Sequence, residues 1–306
     1  MTNNTLRLDN FGYTAIDNNP FKRLITAQDL KEKEEFQDAN SWYIKDILPK
    51  GVGGLVVAPQ KSFKSSTTLF MAHAIATGTP FGEHETTKAN VLIIDNEDTE
   101  FTLHQRLNGY DGTLAGLWFL TGGIFKMDNK DNLNKLYSVI KQLDIKVVIL
   151  DCLKDMLTSP DSLNDMHKMN EILMRITKLK LLLGDVTFLV VAHARKDCFD
   201  RSLEEPLFRT RSTHALGSSA IGAWHEVCFT LSPKISKKTG NKYSIIEVEA
   251  RNFNYDKPIC VGYVDDRFTI IDPTVKVETG EQLEGEEAAE FLDTLKLAGK
   301  VTEIND

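Results

Sequence analysis

Ala58-Pro59-Gln60-Lys61-Ser62-Phe63-Lys64-Ser65-Ser66 joins a short apolar run to a segment with helical periodicity. In that strand–loop–helix setting, Lys64 and Ser65 keep the spacing of the phosphate-binding pattern G-x-x-x-x-G-K-[ST]. Ala58 and Phe63 stand where the pattern has glycine. The chemistry is polyanion binding. Backbone N–H groups of such a turn curl round a β-phosphate at the positive end of a helix. Lys64 would neutralise charge on the β- and γ-phosphates, and Ser65 would hold Mg²⁺. Pro59 through Ser66 are thus the expected nucleotide-binding residues. The two missing glycines are the departure, because glycine normally lets the backbone curl.

Three further strand ends supply polar side chains. VVILD closes on Asp151, at the place of a carboxylate that holds Mg²⁺ through water. VLIIDNED closes on Asp95, Glu97 and Asp98; a carboxylate there can polarise the attacking water, and Glu97 is preferred. VVAHARKD places His193 at a fourth strand end, where its ring would hydrogen-bond a γ-phosphate.

The elements that must position these groups follow from periodicity. GLVVAP (54–59), VLIIDNE (91–97), KVVILD (146–151) and VTFLVVAH (186–193) read as buried strands. They alternate with helical patterns at 65–78, about 130–143 and 164–183, Gly78 and Gly184 closing the first and last. Alternation of this kind predicts an α/β fold with a mostly parallel sheet and helices on both faces. Ligands then bind beyond the carboxyl ends of the strands, so all the candidates open onto one crevice. Segments 225–233, 242–250, 258–264 and 267–273 read as antiparallel C-terminal strands. The expected organisation is an N-terminal arm (1–40, with a short helix within 26–37), a core over 41–273, and an acidic tail (274–306) with a helix at 285–299.

The net charge of −8 argues against a protein that coats nucleic acid everywhere, while leaving room for local basic loops. Apolar runs such as 147–150 and 188–192 are far too short to span a membrane, and MTNNTLRLDN lacks an apolar signal region. Four widely spaced cysteines make no zinc or disulfide framework, so the cytoplasm is expected.

The ordered set WYIKDILP, PQKSFKS, GTPFG, IIDNED with Arg106, VILD, AHARK, GSSAI (217–221) and VEAR (248–251) resembles the RecA-fold ATPases of the plasmid RepA type, related to hexameric replicative helicases. The resemblance covers roughly 42–265. It implies a RecA-like P-loop NTPase core that takes ATP and Mg²⁺. Lys64 and Ser65 would bind nucleotide, Glu97 activate water, Asp151 hold the metal and His193 sense the γ-phosphate. It further implies a homo-oligomer, a hexameric ring, with ATP between neighbours and a cation supplied in trans. Arg251 is the first candidate for that cation and Lys242 the second. Loops after the strands at 146–151 and 186–193 would line a channel for single-stranded DNA. The second loop (194–214) carries Arg195, Lys196, Arg201, Arg209 and Arg211, cations suited to phosphates, with Phe199 and Phe208 for base stacking. The leading expectation is a DNA helicase of a phage or mobile element. Alternatives are a DNA-binding filament ATPase of the RecA/RadA kind and a regulatory nucleotide-binding protein without motor activity.

Overall fold

A computed structural model describes residues 25–33, 41–110, 112–195, 211–235, 242–264 and 267–271. In chain order the elements are α1 (Ala27–Lys31), β1 (Trp42–Ile44), β2 (Leu48–Pro49), β3 (Gly53–Ala58), α2 (Lys64–Thr77), β4 (Asn90–Asp95), α3 (Glu100–Leu107), β5 (Leu117–Leu120), α4 (Lys130–Gln142), β6 (Ile145–Asp151), α5 (Met166–Leu183), β7 (Thr187–His193), α6 (Ser219–Trp224), β8 (Val227–Ile235), β9 (Lys242–Ala250), β10 (Ile259–Val264) and β11 (Arg267–Ile270).

Nine strands form one sheet in the order β11-β10-β9-β8-β3-β7-β6-β4-β5. From β8 to β5 every neighbour is parallel; β8 to β11 pair antiparallel. The reason lies in the apolar runs. β3 and β7 are buried along their whole length, as strands covered on both faces must be. Alternate side chains serve two cores. Leu55, Val57, Leu150 and Val190 face α4, α5 and α6; Val56, Ile149, Val191 and Phe229 face α2. The fold is the RecA-like α/β class expected from the sequence.

The α2 helix ends at Gly78, which takes φ 77° as its left-handed C-cap. Asp165 caps α5 by accepting from the N–H groups of His167 and Lys168. Thr26 caps α1, which is five residues long; residues 34–37 of that expected helix, and the expected helix at 285–299, lie outside the described residues. The pattern reading missed five elements. The α3 helix buries only Leu103, so it carries almost no apolar stripe. Edge strand β5 is half-buried throughout, and β1, β2 and α6 are short. Among the described residues no helix is long and apolar enough to cross a membrane.

Candidate functional site

Strand register brings the site together. Ala58, where the loop begins, lies beside His193 across β3 and β7, and Asp151 lies beside Asp95 across β6 and β4. With the order β3-β7-β6-β4, the loop, His193, Asp151 and the Asp95–Asp98 turn occupy consecutive places on the carboxyl edge of the sheet. Neighbouring strands are about 4.8 Å apart, so the groups converge on one small volume.

The loop solves the missing-glycine problem in an unusual way. Phe63 itself adopts the left-handed conformation, φ 60° and ψ 23°, and Lys61 does likewise at φ 61°. For an L residue this costs roughly 1–2 kcal/mol. The Phe63 ring packs edge-on to Tyr263 and against Phe268, with centroids 5.6 and 5.8 Å away. The ring is half-buried there, which returns about 1 kcal/mol. The ring is thus engaged by β10 and β11, on the side of the antiparallel strands. Two hydrogen bonds brace the turn: Ser62 Oγ donates to the Pro59 carbonyl at 2.7 Å, and Ser244 Oγ from β9 donates to the Ser62 carbonyl at 2.9 Å. Gln60 and Lys61 are exposed; Lys64, Ser65 and Ser66 are half-buried in the first turn of α2.

The Ser65 side chain hydrogen-bonds Asp151, which is only 5% exposed. Burial pushes the Asp151 carboxyl up to about 6; Asp95 and Asp98 add to the rise, while the Ser65 hydrogen bond and Lys64 oppose it. A hydroxyl and a carboxylate oxygen facing one another are the donor set Mg²⁺ takes, so the residues present fit that ion. Asp95 is buried too, and burial raises its carboxyl above the usual range. Its Oδ1 accepts from the N–H groups of Glu97 (2.9 Å) and Asp98 (2.8 Å), which shapes the turn that presents Glu97 to solvent. Asp98 pairs with Arg106 of α3. Asn96 Nδ2 donates to the carbonyls of Phe125 and Asp155, tying this turn to the one after β6.

His193 is 8% exposed, and among the described residues neither ring nitrogen has a hydrogen-bond partner. Burial, then the charges of Lys64 and Lys154, hold it down to about 4, so the ring is neutral at physiological pH. A neutral imidazole with an unsatisfied N–H fits a phosphate oxygen as acceptor. The Glu97 carboxylate, the Cys152 thiol and the His193 ring lie within 4.8 Å of one another.

Beside the loop is a cavity of about 220 Å³ between α2, α3 and the β10–β11 pair, lined by Ser66, Leu69, Arg106, Tyr110, Tyr263 and Phe268 among others. Sequence reasoning missed its aromatic wall: nothing local at 263 or 268 signals that β10 and β11 fold back onto α2. It also missed Cys152 and Asp155, whose only signal was adjacency to Asp151.

Other candidates lie elsewhere. Arg251 is exposed at the opposite, amino-terminal edge, since Ala250 pairs with Val227 and Val227 with Gly54. Its guanidinium donates to the Ala223 carbonyl. Lys242 pairs with Ile235 and sits two residues from Ser244, hence on the loop side of its own chain. Arg195 and Arg211 are exposed at the two ends of one excursion. The Arg195 N–H bonds the His214 carbonyl, and Ala194 bridges Ala215. Lys196, Arg201 and Arg209, with Phe199 and Phe208, lie outside the described residues. In the other proposed DNA-facing segment, Leu153, Met156, Leu157 and Leu163 are buried in the core, which leaves Lys154, Thr158 and Asp161 among the groups nearer solvent.

A braced loop on a strand–helix junction, with a hydroxyl–carboxylate pair on the neighbouring strand ends, is the arrangement of a P-loop ATPase domain of RecA-like fold. Residues 19–198 match the model of a family described as "AAA domain". That is more than half of the chain, and the chain belongs to this family. The match contains Lys64, Ser65, Glu97, Asp151 and His193 but not Arg251. Among solved structures the chain is similar to the KaiC-like protein PH0186 from the hyperthermophilic archaeon Pyrococcus horikoshii OT3. The TM-score is 0.53 at 13% identity, over 75% of this chain and 94% of that chain. At that identity the likeness speaks for the fold. No curated protein matches the sequence.

Proposed function

We propose that this chain is an ATP-driven DNA motor, a helicase working as a hexameric ring with single-stranded DNA in its channel. The observation that carries the nucleotide half of the reading is the contact between Ser65 and Asp151 on an edge shared with Lys64, Glu97 and His193. Lys64 neutralises charge on the β- and γ-phosphate oxygens, and the loop amides hold them. Ser65 and Asp151 would hold Mg²⁺, which would supply further neutralisation of phosphate charge. Glu97, exposed and with its backbone N–H held by Asp95, takes a proton from the attacking water. His193, neutral, donates to the γ-phosphate and loses that contact once the phosphate leaves. The cavity walled by Tyr110, Tyr263 and Phe268, with Arg106 at its rim, suits an aromatic base by stacking and cation–π contact.

Arg251, exposed at the edge away from its own loop, would act on a neighbour's site in such a ring. The segment from Arg195 to Arg211, whose five cations outnumber its four carboxylates by one, follows His193 within two residues in the sequence and is the proposed DNA-facing loop. The test is ATP turnover on a sized complex, with and without single-stranded DNA. Stimulation by DNA is expected, with Lys64→Ala abolishing turnover and Glu97→Gln cutting it by about 100-fold or more. Turnover that survives Lys64→Ala would defeat the site assignment. Tight ATP binding with no turnover, DNA or not, would defeat the motor. A filament ATPase would show open assemblies rather than closed rings by electron microscopy.

A further inference from the structure

Glu97, Cys152 and His193 bring a carboxylate oxygen, a thiol sulfur and a ring nitrogen within 4.8 Å of one another. We propose that this cluster is a binding site for a zinc-class divalent cation, separate from the Ser65–Asp151 pair and in competition with catalysis.

Three observations converge. The donor set is sulfur, nitrogen and oxygen from three side chains, the complement of a zinc site that keeps one position open. It contrasts with the adjacent all-oxygen pair, which suits Mg²⁺; softness of ligands sorts the two metals. Second, His193 is 8% exposed with both ring nitrogens unpartnered among the described residues, and it is aimed into the cluster. Third, the positions are held from behind. Cys152 is fully buried and follows Asp151 directly, His193 ends a central strand, and Glu97 alone is exposed and free to adjust. Tetrahedral zinc with bonds of about 2.0–2.3 Å needs ligand atoms about 3.5 Å apart. Glu97, the exposed member of the three, is the ligand with most room to adjust.

Binding forms a zinc–thiolate bond and releases one proton from the thiol. Cys152 Sγ already donates to Asp155 Oδ2 at 2.9 Å, so Asp155 is the group that takes this proton on its way to solvent. Lys64 and Lys154 stand close enough to His193 to act on its charge, and they weaken any cation there. The site is therefore a weaker, reversible one rather than a structural zinc centre. Its consequence rests on the reading of Glu97 given above: metal on Glu97 and His193 removes the water-activating carboxylate and the phosphate donor together.

Two readouts keep the site and that reading apart. First, Co²⁺ is titrated into the full-length, nucleotide-free protein and followed by the near-ultraviolet thiolate-to-cobalt band. One equivalent is expected, displaced by Zn²⁺. The band is expected to vanish in Cys152→Ser and His193→Gln and to persist in Cys198→Ser, with circular dichroism confirming that each variant is folded. Zn²⁺ affinity, measured by calorimetry, should drop about tenfold or more in Cys152→Ser, since even loss of an outer-shell partner costs that much. Absence of the band, or its persistence in Cys152→Ser, overturns the site. Second, micromolar Zn²⁺ should inhibit ATP turnover in the wild type, and Cys152→Ser should resist. Binding without inhibition would leave the metal site standing and overturn the role of Glu97.

Discussion

The two edges of the sheet use the same residue types to opposite ends. At the amino edge several charges are paired. Lys180 pairs with Glu226, whose Oε2 also accepts the Gly53 N–H at 2.7 Å; Lys146 lies 2.9 Å from Asp185 and 3.2 Å from Asp144. At the carboxyl edge Lys64 has no ion pair among the described residues, and Asp95 and Asp151 stand side by side in register. His193 has no described hydrogen-bond partner there. Satisfied charges hold the strands in place. Unsatisfied ones are stored interaction, released when a polyanion and its cation arrive.

The comparison makes the two lysines opposite in effect. Lys180→Met strands Glu226 beside a strand end, and with Glu226 a third exposed the expected loss is about 2–3 kcal/mol of stability by urea denaturation. Lys64→Met should leave the urea midpoint nearly unchanged while removing ATP turnover. Equal midpoints for the two variants would break the contrast.

A smaller and stranger effect is expected at Asp151. Its folded-state carboxyl is raised to about 6 against an ordinary 3.8, so above pH 6 the fold carries a charge it disfavours. Asp151→Asn should therefore stabilise at pH 7–8, on the order of 1–3 kcal/mol, while abolishing Mg²⁺-dependent turnover. The gain should shrink as pH falls through 6 towards 4, where the wild-type carboxyl is protonated anyway. A destabilised Asp151→Asn at pH 8 would show that the carboxylate is fully paired.

The smallest expected difference is at Phe63, where the ordinary order of substitutions reverses. Phe63→Ala keeps the left-handed cost and loses the ring contacts with Tyr263 and Phe268, about 1 kcal/mol for a half-buried ring. Phe63→Gly loses the same contacts but relieves the backbone, so it should be the more stable by about 1 kcal/mol. Thermal unfolding of the pair decides it. Alanine the more stable would mean that the loop is not held left-handed by the β10–β11 pair.

Much of the candidate site can be located from the sequence alone. Lys64 and Ser65 follow an apolar run at a spacing that phosphate geometry dictates. Asp151 and His193 close runs too apolar to be anything but central strands. Spacing alone does not separate the three acids of that turn; hydrogen bonding does: Asp95 is turned inward to cap the turn and Asp98 is held by Arg106, which leaves Glu97 to face solvent. What patterns could not reach was α3, whose single buried leucine leaves no stripe to read, and β5, half-exposed at an edge.

By itself the chain's order of residues determined the alternation of buried strands and helices and the chemistry at each strand end, because burial on both faces and phosphate recognition leave local marks. Only the tertiary structure decided how Phe63 replaces a glycine, since its ring partners lie about 200 residues away on the antiparallel strands. It likewise decided that Glu97, Cys152 and His193 meet, because the strand order β3-β7-β6-β4 is set by packing of whole faces rather than by any residue near the site.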